Sequence, residues 1–336
     1  MFVFKRIRIC LFVMFVILWL DLGPIKMSDA YWMWTPETGK WINPKWAVKS
    51  TPEDQFIWAM EKYDAHDYKR ASKEFANLAV YYPFSEYAPE AQFLTGESFK
   101  KMGEFYQAHL EYQKLVDNFP SSQKINEMLE RQFQIANHFF YSKGPRWKAY
   151  IPLLPTTNNY EIALEIYLKI IKNAPFGDFA DDAQYKVGDT YLKLGDFTKA
   201  IHSYEKLIAV FPDSEFSELA SYKIAVSKSQ GLYGKEGAFN AAPDALEDFE
   251  AFSKEYPDSR LIEEAKIEID FLRRENAQKL YEIALFYEKN KGLKAAEFYY
   301  LKVVRDYEGT VWSKEAAMRL KKIGPKLEKI KKKENK

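Results

Sequence analysis

The sequence holds one cysteine, Cys10, and four histidines in 336 residues. A single thiol excludes an intrachain disulfide and any cysteine-built metal site, so the fold must rest on packing. His66, His109, His138 and His202 are scattered. His109 and His202 follow equivalent alanines of a repeat rather than converging, and no His-x-x-x-His or Glu-x-x-His pair would put two ligands on one helix face. Charge of one sign is also missing: 49 Lys and Arg stand against 48 Asp and Glu, a net +1. That balance excludes a polyanion such as nucleic acid as the main partner. There is no Gly-rich phosphate loop and no nucleophile elbow. Neither catalysis nor a cofactor is expected.

The apolar run Ile9 to Leu20 has twelve residues, short of the roughly 20 that span a bilayer. Lys5, Arg6 and Arg8 precede it and the small-residue triplet Ser28-Asp29-Ala30 follows, which reads as a signal peptide over 1–30, with an uncleaved anchor as the alternative. Either form exports the body. Cys10 opens the apolar run instead of following it, which is not the place of an acylated lipoprotein cysteine. Residues 31–51 carry Trp32, Trp34, Trp41 and Trp46, and Tyr31-Trp32-Met33-Trp34 and Lys40-Trp41-Ile42-Asn43 flank Thr35-Pro36-Glu37-Thr38-Gly39, the pattern of a hairpin with Gly at the turn. The indoles fit an aromatic cap over the first helices, or a contact with sugar or a membrane interface.

What the sequence has in quantity is an internal period. Asp67-Tyr68-Lys69-Arg70-Ala71 returns as Glu104-Phe105-Tyr106-Gln107-Ala108, as Asn159-Tyr160-Glu161-Ile162-Ala163 and as Asp196-Phe197-Thr198-Lys199-Ala200, with looser copies ending at Ala245 and Ala296. Four residues after each alanine stands an aromatic: Phe75, Tyr112, Tyr167, Tyr204, Phe249 and Tyr300. Three further on come Leu78, Leu115, Ile170, Leu207, Phe252 and Val303. Twelve after the alanine stand Pro83, Pro120, Pro175, Pro212 and Pro257, replaced in the last copy by Glu308. Eight beyond these are Ala91, Met128, Ala183, Ala220, Ala265 and Ala316.

Offsets of four and seven place alanine, ring and aliphatic side chain on one helix face. The alanine admits a neighbouring helix, and proline ends the helix. Twelve residues upstream, Ala59, Gly96 and Gly188 supply a small residue on the preceding helix. The spacing predicts six helical hairpins over 52–309, then a C-terminal helix from about Trp312 and a Lys-rich tail within 310–336. The complete unit is 37 residues, and the longer intervals exceed it by 18, 8 and 14. Two surpluses read as loops, near Ser142–Asn158 and Gly231–Ala242. The third reads as one long helix between Ile262 and Asn290.

These spacings resemble the tetratricopeptide repeat, whose usual period is 34 residues, with three extra in the turn between hairpins. The resemblance implies an all-α superhelix, an α-solenoid that binds proteins on its concave face. More specifically, Tyr82-Pro83-Phe84-Ser85-Glu86-Tyr87-Ala88 with Gln92-Phe93, and Phe271-Leu272-Arg273-Arg274-Glu275 through Ala277, Ile283-Ala284 and Phe286-Tyr287, resemble segments of the BamD family of outer-membrane assembly factors. That likeness, over about 52–320, implies a periplasmic scaffold associated with the outer membrane. Its partners would be unfolded β-barrel proteins and the barrel-assembly membrane protein. Carried onto tetratricopeptide positions, it places Phe56, Met60, Tyr63, Phe93, Glu97 and Lys100 in a peptide-binding groove, and Arg273, Arg274 and Tyr281 at a docking surface. The sequence departs from the family in having no acylated cysteine and six hairpins instead of five. The alternative is a YbgF-like adaptor of cell-wall and division enzymes, though no heptad stretch precedes the repeats.

Overall fold

The computed structural model describes residues 33–35, 40–42, 48–142, 158–231 and 241–334. The expected signal peptide, the Trp side chains of 31–51 and most of the two expected loops lie outside the described residues. The chain divides into two compact units, Met1–Ser98 and Phe99–Lys336.

The first unit begins with an antiparallel pair, β1 (Met33–Thr35) and β2 (Lys40–Ile42), in the register Trp34 opposite Trp41. Helices α1 (Pro52–Asp64) and α2 (Tyr68–Tyr81) then form a hairpin, followed by α3 (Ala88–Lys101), whose residues as far as Ser98 belong to this unit. The second unit holds α4 (Phe105–Asn118), α5 (Ile125–Tyr141), α6 (Asn159–Asn173), α7 (Ala180–Leu194), α8 (Phe197–Val210), α9 (Ser217–Gly231), α10 (Ala241–Glu255), α11 (Ile262–Lys289), α12 (Leu293–Asp306) and α13 (Val311–Glu334). From α4 onward each helix packs on the next, and α13 also reaches α11. Among the described residues there are thirteen helices and one short ribbon, with five helix pairs and a terminal helix formed within the two units. Among the described residues no helix is long and apolar enough to cross a membrane.

The repeat positions form the core. The six alanines, the six rings, the six aliphatic or aromatic residues three further on and the six residues at the twentieth place are no more than 1% exposed. Burying each large side chain contributes about 1.5–3 kcal/mol. At three of these rings a tyrosine hydroxyl donates to a side chain of the partner helix: Tyr167 to Asn137 at 2.7 Å, Tyr204 to Asp189 and Tyr300 to Glu288 at 2.8 Å. Burial raises the phenol pKa of all three, which keeps them as donors.

A second recurrence has no place in the apolar pattern. Gln55 and Gln184 both lie sixteen residues before a repeat alanine, and both are buried. Each donates through Nε2 at 3.0 Å to the backbone carbonyl of the second helix, at Glu74 and Ser203. The bond fixes the two helices of a hairpin along their axes, which apolar packing alone does not.

Each second helix stops two residues before the proline position, and it does so even at Asp306, where Glu308 stands instead. The residue after the helix (Tyr82, Phe119, Ala174, Phe211 or Tyr307) has φ between −126° and −142°, with its N–H bonded to the carbonyl four back. Proline disfavours helix at the residue before it. In the last copy Gly309, at φ +88°, turns the chain instead.

The connectors 82–87, 119–124, 211–216 and 256–261 each hold a serine whose Oγ accepts the N–H two residues on: Ser85, Ser122, Ser214 and Ser259, at 3.0–3.2 Å. Two of these hydroxyls also tie consecutive hairpins together. Ser214 donates to Asp181 at 2.7 Å, and Ser259 donates to Glu218.

Five residues before four of the repeat alanines the backbone turns left-handed, at His66 (φ 62°), Gly103 (78°), Gly195 (78°) and Lys291 (64°). A side chain in this region costs about 1–2 kcal/mol, partly offset by glycine's greater freedom when unfolded. Lys291→Gly should therefore stabilise the second unit by about 1 kcal/mol, read as a higher urea midpoint at unchanged slope. A lower midpoint would show that Lys291 makes a compensating contact.

Candidate protein-interaction surfaces

The sequence-expected groove residues of the first unit lie on α1 and α3. Phe56 and Tyr63 pack over the buried Phe75, at ring distances of 5.8 and 6.2 Å, and Phe56 also meets Tyr87 at 5.2 Å. These two rings close the hairpin over its core and stay half-buried. Phe93 is only 3% exposed, so it is a packing residue with almost no surface to offer. Met60 is half-buried on α1 and Glu97 is half-buried on α3. Glu97 is near enough to Tyr63 to act on it: burial first, then the Glu97 carboxylate, raises the phenol pKa. Ring, thioether and carboxylate thus share a partly wet strip. Lys100, in the second unit, is 3.2 Å from Gln134 Oε1.

Of the expected docking residues, only Arg274 is open to solvent, its Nε donating at 3.1 Å to the Asp270 carbonyl. Arg273 is half-buried and paired with Glu250 on α10 at 3.3 Å. Tyr281 is 7% exposed, held between Tyr300 (5.6 Å) on α12 and Trp312 (5.2 Å) on α13. It belongs to the core because the terminal helix covers it.

Two surfaces of the second unit stand out beyond those residues. On α5, α7 and α9, the first helices of successive hairpins, Lys186 donates to the Tyr141 hydroxyl at 2.8 Å, and Lys186 and Lys223 each lie 4.0 Å from Asp189. The Lys186 ammonium also sits 5.2 Å from the ring centres of Phe140 and Tyr141. The strip is polar, aromatic and partly exposed, the mixture that receives an extended chain.

The other surface lies where α11 turns into α12. Tyr287 and Tyr299 stack at 5.6 Å, within 5° of parallel. Phe286 flanks the stack on one side and Phe298 on the other, at 5.6 and 5.3 Å. Phe286 is 61% and Phe298 63% exposed. A hollow of about 330 Å³ beside Phe286 is lined by Lys279, Glu282, Ile283 and Tyr287. Four rings, two of them mostly in water, form the kind of patch that marks a protein partner's site. Phe286 and Tyr287 were legible as part of a family-like segment. The contribution of Phe298 and Tyr299 needed the turn to bring α12 alongside.

Among the described residues no group of His, Cys, Asp and Glu could hold a metal ion. The buried rings, the repeat alanines and the paired helices define the class: a tetratricopeptide-type protein built for protein interaction. The chain belongs to the YfiO family of outer membrane lipoproteins, whose model matches residues 49–130 and 156–336. No curated protein sequence matches it. Among solved structures it is similar to a tetratricopeptide repeat protein from Parabacteroides merdae, at 13% identity over 79% of this chain and 96% of that one, with a TM-score of 0.35. Another is the C-terminal part of a repeat-containing protein from Cytophaga hutchinsonii, at 16% identity over 79% and 87%, with a TM-score of 0.36.

Proposed function

We propose that the protein is a non-catalytic periplasmic scaffold at the outer membrane. It binds unfolded β-barrel outer-membrane proteins and the barrel-assembly membrane protein, and so promotes insertion. Membership of the YfiO family carries this reading, since that match covers both units. The polar-aromatic strip around Lys186 suits an extended client segment. The Phe286/Phe298 ladder, with Arg274 on the same helix α11, suits a folded partner module. Residues Met60, Tyr63, Glu97 and Lys100 remain the proposed client contacts near the N-terminal end of the repeats.

Capture of the tagged protein from cross-linked envelopes tests the assignment. A barrel-type membrane protein with periplasmic modules should be recovered, and depletion should lower the level of barrel proteins. Recovery of cell-wall and division enzymes alone would replace this reading with the adaptor one. Phe286→Ser with Phe298→Ser should reduce recovery of the partner about tenfold or more, because exposed aromatic anchors at such sites contribute about 2 kcal/mol each. Helicity should be unchanged, as both rings are mostly solvent-exposed. Undiminished recovery would move the docking surface elsewhere.

A further inference from the structure

Within the first unit, at the open side of the α1/α2 hairpin, lies a cavity of about 720 Å³ lined by Trp58, Lys62, Asp67, Lys69, Arg70, Lys73 and Glu74. On the segment leading into α1, Lys49 holds its ammonium 4.3 Å from the centre of the Trp58 ring, and Lys62 approaches the same ring at 5.7 Å. Two cations, from the segment before α1 and from α1 itself, therefore meet on one indole, and Lys69, Arg70 and Lys73 of α2 line the same cavity.

Asp67 and Glu74 are the two acids of the lining. Asp67 caps α2, accepting from the Arg70 N–H at 3.2 Å and pairing with Arg70 Nε at 3.3 Å. Glu74 is buried, and accepts from Gln55 at 3.1 Å and Asn77 at 3.2 Å. Both carboxylates serve the hairpin itself. An indole face attracts an ammonium without taking up its N–H donors. The Trp58 ring thereby gathers Lys49 and Lys62 at the cavity's side.

We propose that this cavity binds the phosphate of an anionic lipid headgroup, so that the N-terminal end of the protein lies against a membrane surface. Clustered ammonium groups suit a phosphate, and the volume is of the order of a small-ligand site. The chain leading into the site favours a lipid over an acidic peptide. Residues 31–49 carry Trp32, Trp34, Trp41 and Trp46 together with Lys40, Lys45 and Lys49. Tryptophan and lysine concentrate where a protein meets headgroups. The site is independent of the surfaces assigned above to protein partners.

The test uses the full chain and the indole N–H resonance of Trp58, identified by its loss in Trp58→Phe. Water-soluble short-chain phosphatidylglycerol should move this resonance saturably, and phosphatidylcholine of the same length should not. Lys62→Glu with Lys69→Glu should weaken binding about 30-fold or more, taking about 1 kcal/mol for each cation lost. Lys62→Gln with Lys69→Gln keeps the interpretation safe should the double reversal disturb folding. Lys206→Glu with Lys254→Glu, a reversal of equal charge elsewhere, should leave binding unchanged. An immobile resonance, an unaffected Lys62/Lys69 double variant, or an equal loss in the Lys206/Lys254 control would overturn the proposal. So would inorganic phosphate or an acidic peptide binding as tightly as the lipid.

Discussion

Gly188→Ala should destabilise the second unit by about 1–3 kcal/mol, although helix propensity alone predicts a gain of about 1 kcal/mol from replacing a mid-helix glycine. A Cβ at Gly188 would stand 2.5 Å from Cε1, 2.7 Å from Cδ1 and 2.8 Å from Cζ of Tyr204. The ring has nowhere to retreat. It is fully buried, it tilts against Tyr185 at 5.8 Å, and its hydroxyl is held by Asp189 at 2.8 Å. Overpacking of this kind costs about 1–3 kcal/mol, and a displaced hydroxyl forfeits about 1 kcal/mol more. The clash therefore outweighs the propensity gain. Urea unfolding should show the loss, and Tyr204→Leu in the Gly188→Ala background should recover part of it, giving a non-additive cycle. A midpoint at or above that of the unsubstituted protein would show that α7 and α8 separate without penalty.

Acidification should weaken the second unit between about pH 6.5 and pH 4 through His109. This side chain is 1% exposed, with its ring Nδ1 3.3 Å from Gln132 Nε2. Burial first, and then the Lys169 ammonium, lowers its pKa from 6.5 to about 4. The folded form thus resists protonation while the unfolded form accepts it. Above the unfolded value both states are neutral and nothing is lost. As pH falls, the unfolded chain takes up the proton first, and the loss saturates once the folded histidine also titrates. A shift of this size corresponds to at most about 3 kcal/mol. His109→Gln should flatten that part of the stability profile, and an unchanged slope between pH 6.5 and 4 would remove His109 as its source.

Spacing alone made the hairpins legible, because alanine, ring and aliphatic residue return on one face of each second helix. The residues that set depth were harder to read. Phe93 and Tyr281 have the composition of partner contacts, yet both are buried. Helical spacing reports which face a residue is on, not which later helix will cover it, and Trp312 covers Tyr281 from thirty-one residues downstream. Gln55 and Gln184 escaped notice because hydrophobic periodicity treats glutamine as surface. Their shared offset from the repeat alanine was the available signal. The connector serines recur just as regularly, but a serine after proline suits almost any turn. Lys49 and Lys62 are ordinary solvated charges in the sequence, and only the fold gathers them on Trp58.

Helix α11 carries its surplus as uninterrupted helix, and that has a consequence for what may change there. In α7 and α9 two small core residues lie five apart, Ala183 and Gly188, Ala220 and Ala225; in α11 the corresponding Ala265 and Ala284 lie nineteen apart. The added fourteen residues make almost four whole turns, so the helix behaves as a screw advanced by full rotations. Both ends keep their phase, one facing α10 and the other α12. Shortening α11 by seven residues would nearly preserve that phase. Removing five would rotate one end by more than a third of a turn and present charged residues to the core of the last hairpin.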